Sequence, residues 1–207
     1  MSGDDSCEWQ RWFKAHYENY EKLPNDFDAV KWMMNHTKLL RETREDYRKV
    51  GYRVSVEDQN KLTLSWFTKT GTEVTLAGKP DLMALSEDGT VLTIIDAKTG
   101  KANISHRFQV LIYIVMEKIA RLSRFKYDSD VLREIANSLS NGDAIIDGLL
   151  IYPESKDQIP STMLTEEFED TLNYWLDIVG GKNEPEKTPS KRECDWCDIA
   201  VCDARIK

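Results

Sequence analysis

Two apolar runs, 82–86 and 91–95, flank Glu87-Asp88-Gly89-Thr90, and an aspartate stands at the outer end of each: Asp81 before the first and Asp96 after the second. Short aliphatic runs bounded by turn residues read as strands. Asp-Gly favours the centre of a two-residue hairpin loop, because both positions there need positive φ. With Asp88-Gly89 as that loop, paired residue numbers keep a constant sum, and Asp81 falls opposite Asp96. Side chains so opposed share a face, with Cβ atoms about 4.5–5.5 Å apart. Lys98 lies two residues past Asp96 and projects from the same face while the strand continues. Like charges directly opposite destabilise a sheet, whereas a hard cation held by oxygen ligands reverses the sign of that term. The register decides everything here, since a slip of one residue sends the carboxylates to opposite faces.

The next element is a helix over 104–122. Gln109 and Tyr113 stand four apart on one face of it, His106 joins them at i−3, and Val110, Leu111, Ile114, Val115 and Ile119 fill the other faces. Upstream, 7–20 reads as a helix whose Trp9, Trp12, Phe13, Tyr17 and Tyr20 pack a core. A long helix follows, capped by Asp26 or Asp28, running to Lys49 and stopped at Gly51. Strands are expected over 52–56, 61–67 and 72–76, the last two joined near Thr70-Gly71, and a central one over 144–152. Thr165 caps a helix over 165–179 whose first turn is acidic, and 180–192 reads as a linker. The order predicts an α/β fold, a mixed central β-sheet flanked by helices, in one domain over 1–207. Within it, 7–51 forms N-terminal helices, 52–152 the core, and 180–207 the linker and a cysteine cluster closing with Cys7.

Gly78-x-x-Asp81, a hairpin, Ile94-Ile95-Asp96-x-Lys98-Thr99-Gly100, and then Gln109-x3-Tyr113 follow in that order. The arrangement resembles the PD-(D/E)XK nuclease superfamily, specifically its RecB-type branch, most strongly over 76–116. The resemblance implies a restriction-endonuclease-like core and metal-dependent phosphodiester hydrolysis. It implies Mg2+ or Mn2+ held by Asp81, Asp96, His36 and the Ala97 carbonyl, with Lys98 acting on the attacking water. Gln109 and Tyr113 would position the DNA strand. His36 is the best match to the histidine ligand that RecB-type nucleases carry on a helix before the sheet, although the glycine often found upstream of it is absent. Glu42 or Glu45 is the alternative third ligand.

The four cysteines are Cys7, Cys194, Cys197 and Cys202, one near the start and three crowded near the end. Clustered cysteines in a reducing compartment point to metal, and four thiolates suit zinc or a 4Fe-4S cluster. One distant cysteine plus three C-terminal ones resembles the iron–sulfur staple of the CRISPR-associated RecB-type ("Cas-four") exonucleases and of AddB-type repair nucleases. Those families usually space the last pair one residue wider than Cys197 and Cys202, so zinc stays open beside 4Fe-4S.

At 207 residues, with six tryptophans, the chain is long enough for a sizeable core. Its formal net charge of −8 is unusual for a protein that meets DNA. Distribution counts for more than the total. Lys98, Lys101, Arg107, Lys118, Arg121, Arg124 and Lys126 face only Glu117 within 97–127. Lys101 and Arg107, nearest the aspartates, are the expected phosphate contacts, with Tyr113 beside them. The polar, acidic N-terminus reads as no signal peptide, and the longest apolar run, 110–116, is far too short for a membrane span. A cytoplasmic location is the expectation. The resemblance implies an exonuclease that trims single-stranded DNA ends for CRISPR spacer acquisition beside integrase proteins. A standalone RecB-like repair or phage nuclease, and a catalytically silent DNA-binding module, are the alternatives.

Overall fold

The computed structural model describes residues 7–24, 26–122 and 145–206, with the side chains of Arg121 and Leu122 excepted. Arg124 and Lys126 therefore lie outside the described residues, as does the Arg121 side chain. The chain forms two compact units, one from Met1–Phe27, Ser65–Val74 and Glu166–Lys207, the other from Asp28–Leu64 and Thr75–Thr165.

The second unit holds the sheet. Its elements are helix α2 (Ala29–Lys49), strand β1 (Arg53–Val56), strands β4 (Leu82–Leu85) and β5 (Val91–Ala97), helix α3 (Ile104–Leu122), and strands β6 (Ile145–Ile151) and β7 (Lys156–Ile159). Helix α1 (Glu8–His16) precedes them in the chain, and β2 (Leu62–Phe67) and β3 (Glu73–Gly78) pair as a separate two-stranded sheet. The five-stranded sheet has the order β1-β4-β5-β6-β7. Only β5 and β6 run parallel; the other neighbours are antiparallel. The sheet is thus mixed and flanked by helices, consistent with the restriction-endonuclease-like fold expected.

Asp28 caps α2, one of the two caps foreseen, its carboxylate accepting from the Lys31 N–H at 2.9 Å. Leu39, Leu40 and Tyr47 of α2 pack on Leu82, Ala84, Ile95, Leu149 and Ile151. Each such aliphatic side chain removed from water contributes about 1.5–3 kcal/mol before conformational entropy is counted. Neighbouring positions along a strand face opposite ways, so Gly148 presents to the other helix. A Cβ there would lie 2.2 Å from Val110 Cγ1 and 3.3 Å from Ile114 Cδ1, which shows how closely α3 approaches β6.

The hairpin register is the expected one: Leu82 pairs with Ile95 and Leu85 with Leu92. The loop that sets it differs from expectation. Gly89 N–H bonds the Ser86 carbonyl at 3.0 Å and Ser86 N–H bonds that of Val91 at 2.9 Å, so Glu87-Asp88 is the turn centre in a four-residue loop. The Asp88 carboxylate accepts from the Ser86 hydroxyl at 2.6 Å and from the Thr90 N–H at 3.1 Å. That side-chain turn replaces the mirror-image backbone turn, and Gly89 takes the left-handed position at φ 74°. Both loops close symmetrically, so the pairing sum survives the change.

In the first unit, α1 is shorter than the 7–20 expected. After it, Leu23 N–H bonds the Asp198 carbonyl at 2.8 Å and Ala200 N–H bonds that of Glu21 at 3.0 Å. Helix α4 (Glu166–Gly180) and a short α5 (Lys191–Trp196), capped by Ser190, complete it. The helix α5 begins where a linker was expected. Trp9, Trp12, Cys7 and Ile199 form its core. Among the described residues no helix is long and apolar enough to cross a membrane.

Candidate active site

A cleft of about 930 Å3 in the sheet-bearing unit is lined by His36, Asp81, Asp96, Ala97, Lys98, Lys101, Gln109 and Tyr113, among others. Eight positions singled out from the sequence therefore share one concave surface. Arg107 is not among its lining residues. Its guanidinium makes a two-pronged ion pair with Asp157, Nε and Nη2 lying 2.7 and 2.9 Å from the carboxylate oxygens. Glu42 and Glu45 also lie off the cleft, paired with basic neighbours on the α2 surface.

Asp81 enters the site at the start of β4. Its Oδ2 accepts from the Ala97 N–H at 2.7 Å, and His36 Nε2 stands 3.4 Å away. Burial, and then the charge of Asp96, push the Asp81 carboxyl above its ordinary value; the Ala97 N–H and the cationic partners pull it back. Asp96 is 3 % exposed. Lys98 Nζ approaches Asp96 Oδ2 to 2.7 Å. That ammonium is the charge partner of the buried oxygen.

Gln109 and Tyr113 act on Lys98. The ammonium donates to Gln109 Oε1 at 2.9 Å, and Gln109 Nε2 donates to the Tyr113 hydroxyl at 2.8 Å. Tyr113 is 8 % exposed. A Cβ on Gly78 would meet its ring carbon Cε1 at 2.6 Å, so only glycine admits the ring. The Gly78, Lys98, Gln109 and Tyr113 positions thus form one mechanical chain.

Two further groups shape this region: Asn60, which carried no sequence signal, and His106, expected beside Gln109 and Tyr113 on α3. Asn60, fully buried, donates to the Pro80 carbonyl at 3.1 Å and accepts from the Ser55 hydroxyl at 2.6 Å, which anchors the backbone just before Asp81. His106, on the cleft, bonds the Tyr152 hydroxyl through Nδ1 at 2.9 Å. Burial and the Lys98 ammonium lower its pKa, while burial raises that of Tyr152.

Among the described residues no three His, Cys, Asp or Glu side chains gather at metal-holding spacing. Mg2+ asks for less, since it is usually bound by one or two carboxylates and keeps several waters. A buried carboxylate, Asp96, and a half-buried one, Asp81, on the same cleft fit such a cation. The four cysteines are all free and line one small pocket in the other unit. Burial raises the Cys7 thiol, and Arg205 holds the carbonyls of Cys194 and Cys197 at 2.5 and 2.7 Å. The donor chemistry suits a thiophilic metal, although the sulfurs are not drawn together.

The family model of the PD-(D/E)XK nuclease superfamily matches residues 6–203. Among solved structures, the crystal structure of SSO0001 is similar over 100% of this chain and 90% of its own, with a TM-score of 0.55 and 13% identity, which is a likeness of fold. No curated protein matches the chain in sequence.

Proposed function

The chain belongs to the PD-(D/E)XK nuclease superfamily, and on that premise we propose that it is a divalent-metal-dependent deoxyribonuclease centred on Asp81, Asp96 and Lys98. The observation that carries the reading is the buried Asp96 carboxylate, ion-paired to the Lys98 ammonium at 2.7 Å and sharing its cleft with a second carboxylate, Asp81. Mg2+ or Mn2+ bound by Asp81, Asp96 and the Ala97 carbonyl, with His36 alongside, would supply charge on the scissile phosphate and a water of lowered pKa.

The chain's own groups do the rest. The Lys98 ammonium offsets negative charge developing on the phosphate and holds the attacking water by hydrogen bond. Gln109 and Tyr113 keep that ammonium in place, because a misplacement of about 1 Å can cost on the order of a hundredfold in rate. Lys101 supplies a further cation for the strand.

The motif order supports a RecB-type exonuclease acting on single-stranded DNA ends. With it goes a role in trimming DNA for CRISPR integration beside integrase proteins. The four free cysteines lining one pocket support a 4Fe-4S cluster on Cys7, Cys194, Cys197 and Cys202, and a cytoplasmic setting. The narrow gap before Cys202 keeps zinc as the second reading of that pocket.

The test is purification without oxygen, a visible spectrum with metal analysis, and cleavage of end-labelled single-stranded DNA with Mn2+. A brown protein that cleaves, and loses cleavage in both Asp96→Ala and Lys98→Ala, is the expected outcome. A colourless zinc protein overturns the cluster, and cleavage indifferent to both substitutions overturns the centre. Co-purification with integrase separates the CRISPR role from that of a standalone nuclease.

A further inference from the structure

The mouth of the cleft carries side chains that hydrolysis itself does not use. Trp32 and Met33, from the first two turns of α2, line it, and they are 42% and 56% exposed. The Trp32 indole stacks on the His36 imidazole, with ring centroids 5.0 Å apart and planes within 16°. His36 in turn stands 3.4 Å from Asp81. The two residues stand four apart on α2, about 6 Å along its axis.

Cations flank this rim. Arg41 and Lys101 line the cleft, are exposed, and make no ion pair among the described residues. Lys79, by contrast, is held by Glu57 at 2.8 Å and Asp58 at 3.7 Å. An exposed indole and a thioether beside free cations, above a centre that takes phosphate, match an unpaired nucleic-acid strand. Such a strand offers phosphates to cations and base faces to aromatic rings at the same time. A paired duplex keeps its base faces stacked inside and offers only its backbone.

We propose that Trp32, flanked by Met33, is a base-stacking residue for the unpaired nucleotide next to the scissile phosphate, so that the cleft selects single-stranded or frayed DNA ends. The inference rests on reading the cleft as the nuclease centre. It makes α2 a binding element as well as the carrier of His36.

Fluorescence anisotropy tests it with a labelled single-stranded oligonucleotide, an abasic strand of equal length and a blunt duplex, all in a Lys98→Ala background so that the probes survive. Trp32→Ala is expected to weaken binding of the base-bearing strand about tenfold, and Trp32→Leu likewise, because leucine keeps apolar bulk without an aromatic face. Trp32→Phe should stay within about threefold. The abasic strand should bind all four proteins alike. Unchanged affinity in both Trp32→Ala and Trp32→Leu overturns the proposal. So does an equal loss on the abasic strand, which would mark Trp32 as a support for His36 alone. Because binding is read without cleavage, these outcomes are separate from the Asp96→Ala and Lys98→Ala cleavage test of the centre itself.

Discussion

Asp81 carries its charge against two penalties, burial and the facing Asp96. A carboxyl whose folded pKa is raised contributes stability that is full below its unfolded value of about 3.9 and fades as pH rises through the folded value. Asp81→Asn keeps an oxygen for the Ala97 N–H and removes the charge. Its melting temperature should match wild type near pH 4 and exceed it increasingly toward neutrality. Mn2+ should raise the melting temperature of wild type and not that of the variant. Thermal scans across pH, with and without Mn2+, check both halves. The Asp81 and Asp96 partnership was legible because side-chain parity on paired strands is strict. The link from Lys98 through Gln109 to Tyr113 was half legible: helix spacing put the last two on one face, while their grip on the lysine depends on how α3 docks. Asn60 was not legible at all, since a buried asparagine bonding a carbonyl twenty residues away leaves no local pattern.

At the scale of elements, hydrophobic runs located β4, β5, α3 and β6 within a residue or two. The strand β7, Lys156–Ile159, escaped because Lys-Asp-Gln-Ile has a single buried side chain and lies at the sheet edge. The hairpin loop was misjudged in type and right in consequence. Asp88 stabilises its turn with a carboxylate that accepts three hydrogen bonds, an option that backbone preferences for Asp-Gly do not include. Gly148 sits close under α3. Gly148→Ala would drive a methyl group against Val110, and overpacking of this kind costs about 1–3 kcal/mol. Urea denaturation should show a lower midpoint at unchanged slope, with the extrapolated unfolding free energy reduced by that amount. The loss should spread to activity, because α3 carries Gln109 and Tyr113.

Across the whole molecule, a net charge of −8 opposes DNA, so association depends on the few cations that face the cleft. Single-strand affinity falls with salt by about 0.7 logarithmic units per tenfold salt for each phosphate neutralised. Arg41→Gln and Lys101→Gln should each reduce the slope of log affinity against log salt by about 0.7, as titrations of a labelled oligonucleotide between low and high salt would measure. Lys101 was legible from its place just past Asp96 and Lys98, whereas Arg41 was not, because neighbours in the fold, not in the chain, decide which cations are left unpaired.

The division into two units sets which partners exist at each stage of synthesis. The chain passes back and forth between them, through Asp28–Leu64, Ser65–Val74, Thr75–Thr165 and Glu166–Lys207. The sheet that bears Asp81 and Asp96 has all its strands once Ile159 has been made. Trp9 and Trp12 are made far earlier, yet their partner Ile199 and the Gly181 carbonyl that accepts from the Trp12 indole come from the last stretch. Closing so long a loop is slow, because its entropy is lost before the contact is gained. Until that stretch is made, Trp9 and Trp12 lack these partners, while every described strand of the sheet bearing Asp81 and Asp96 has already been synthesised.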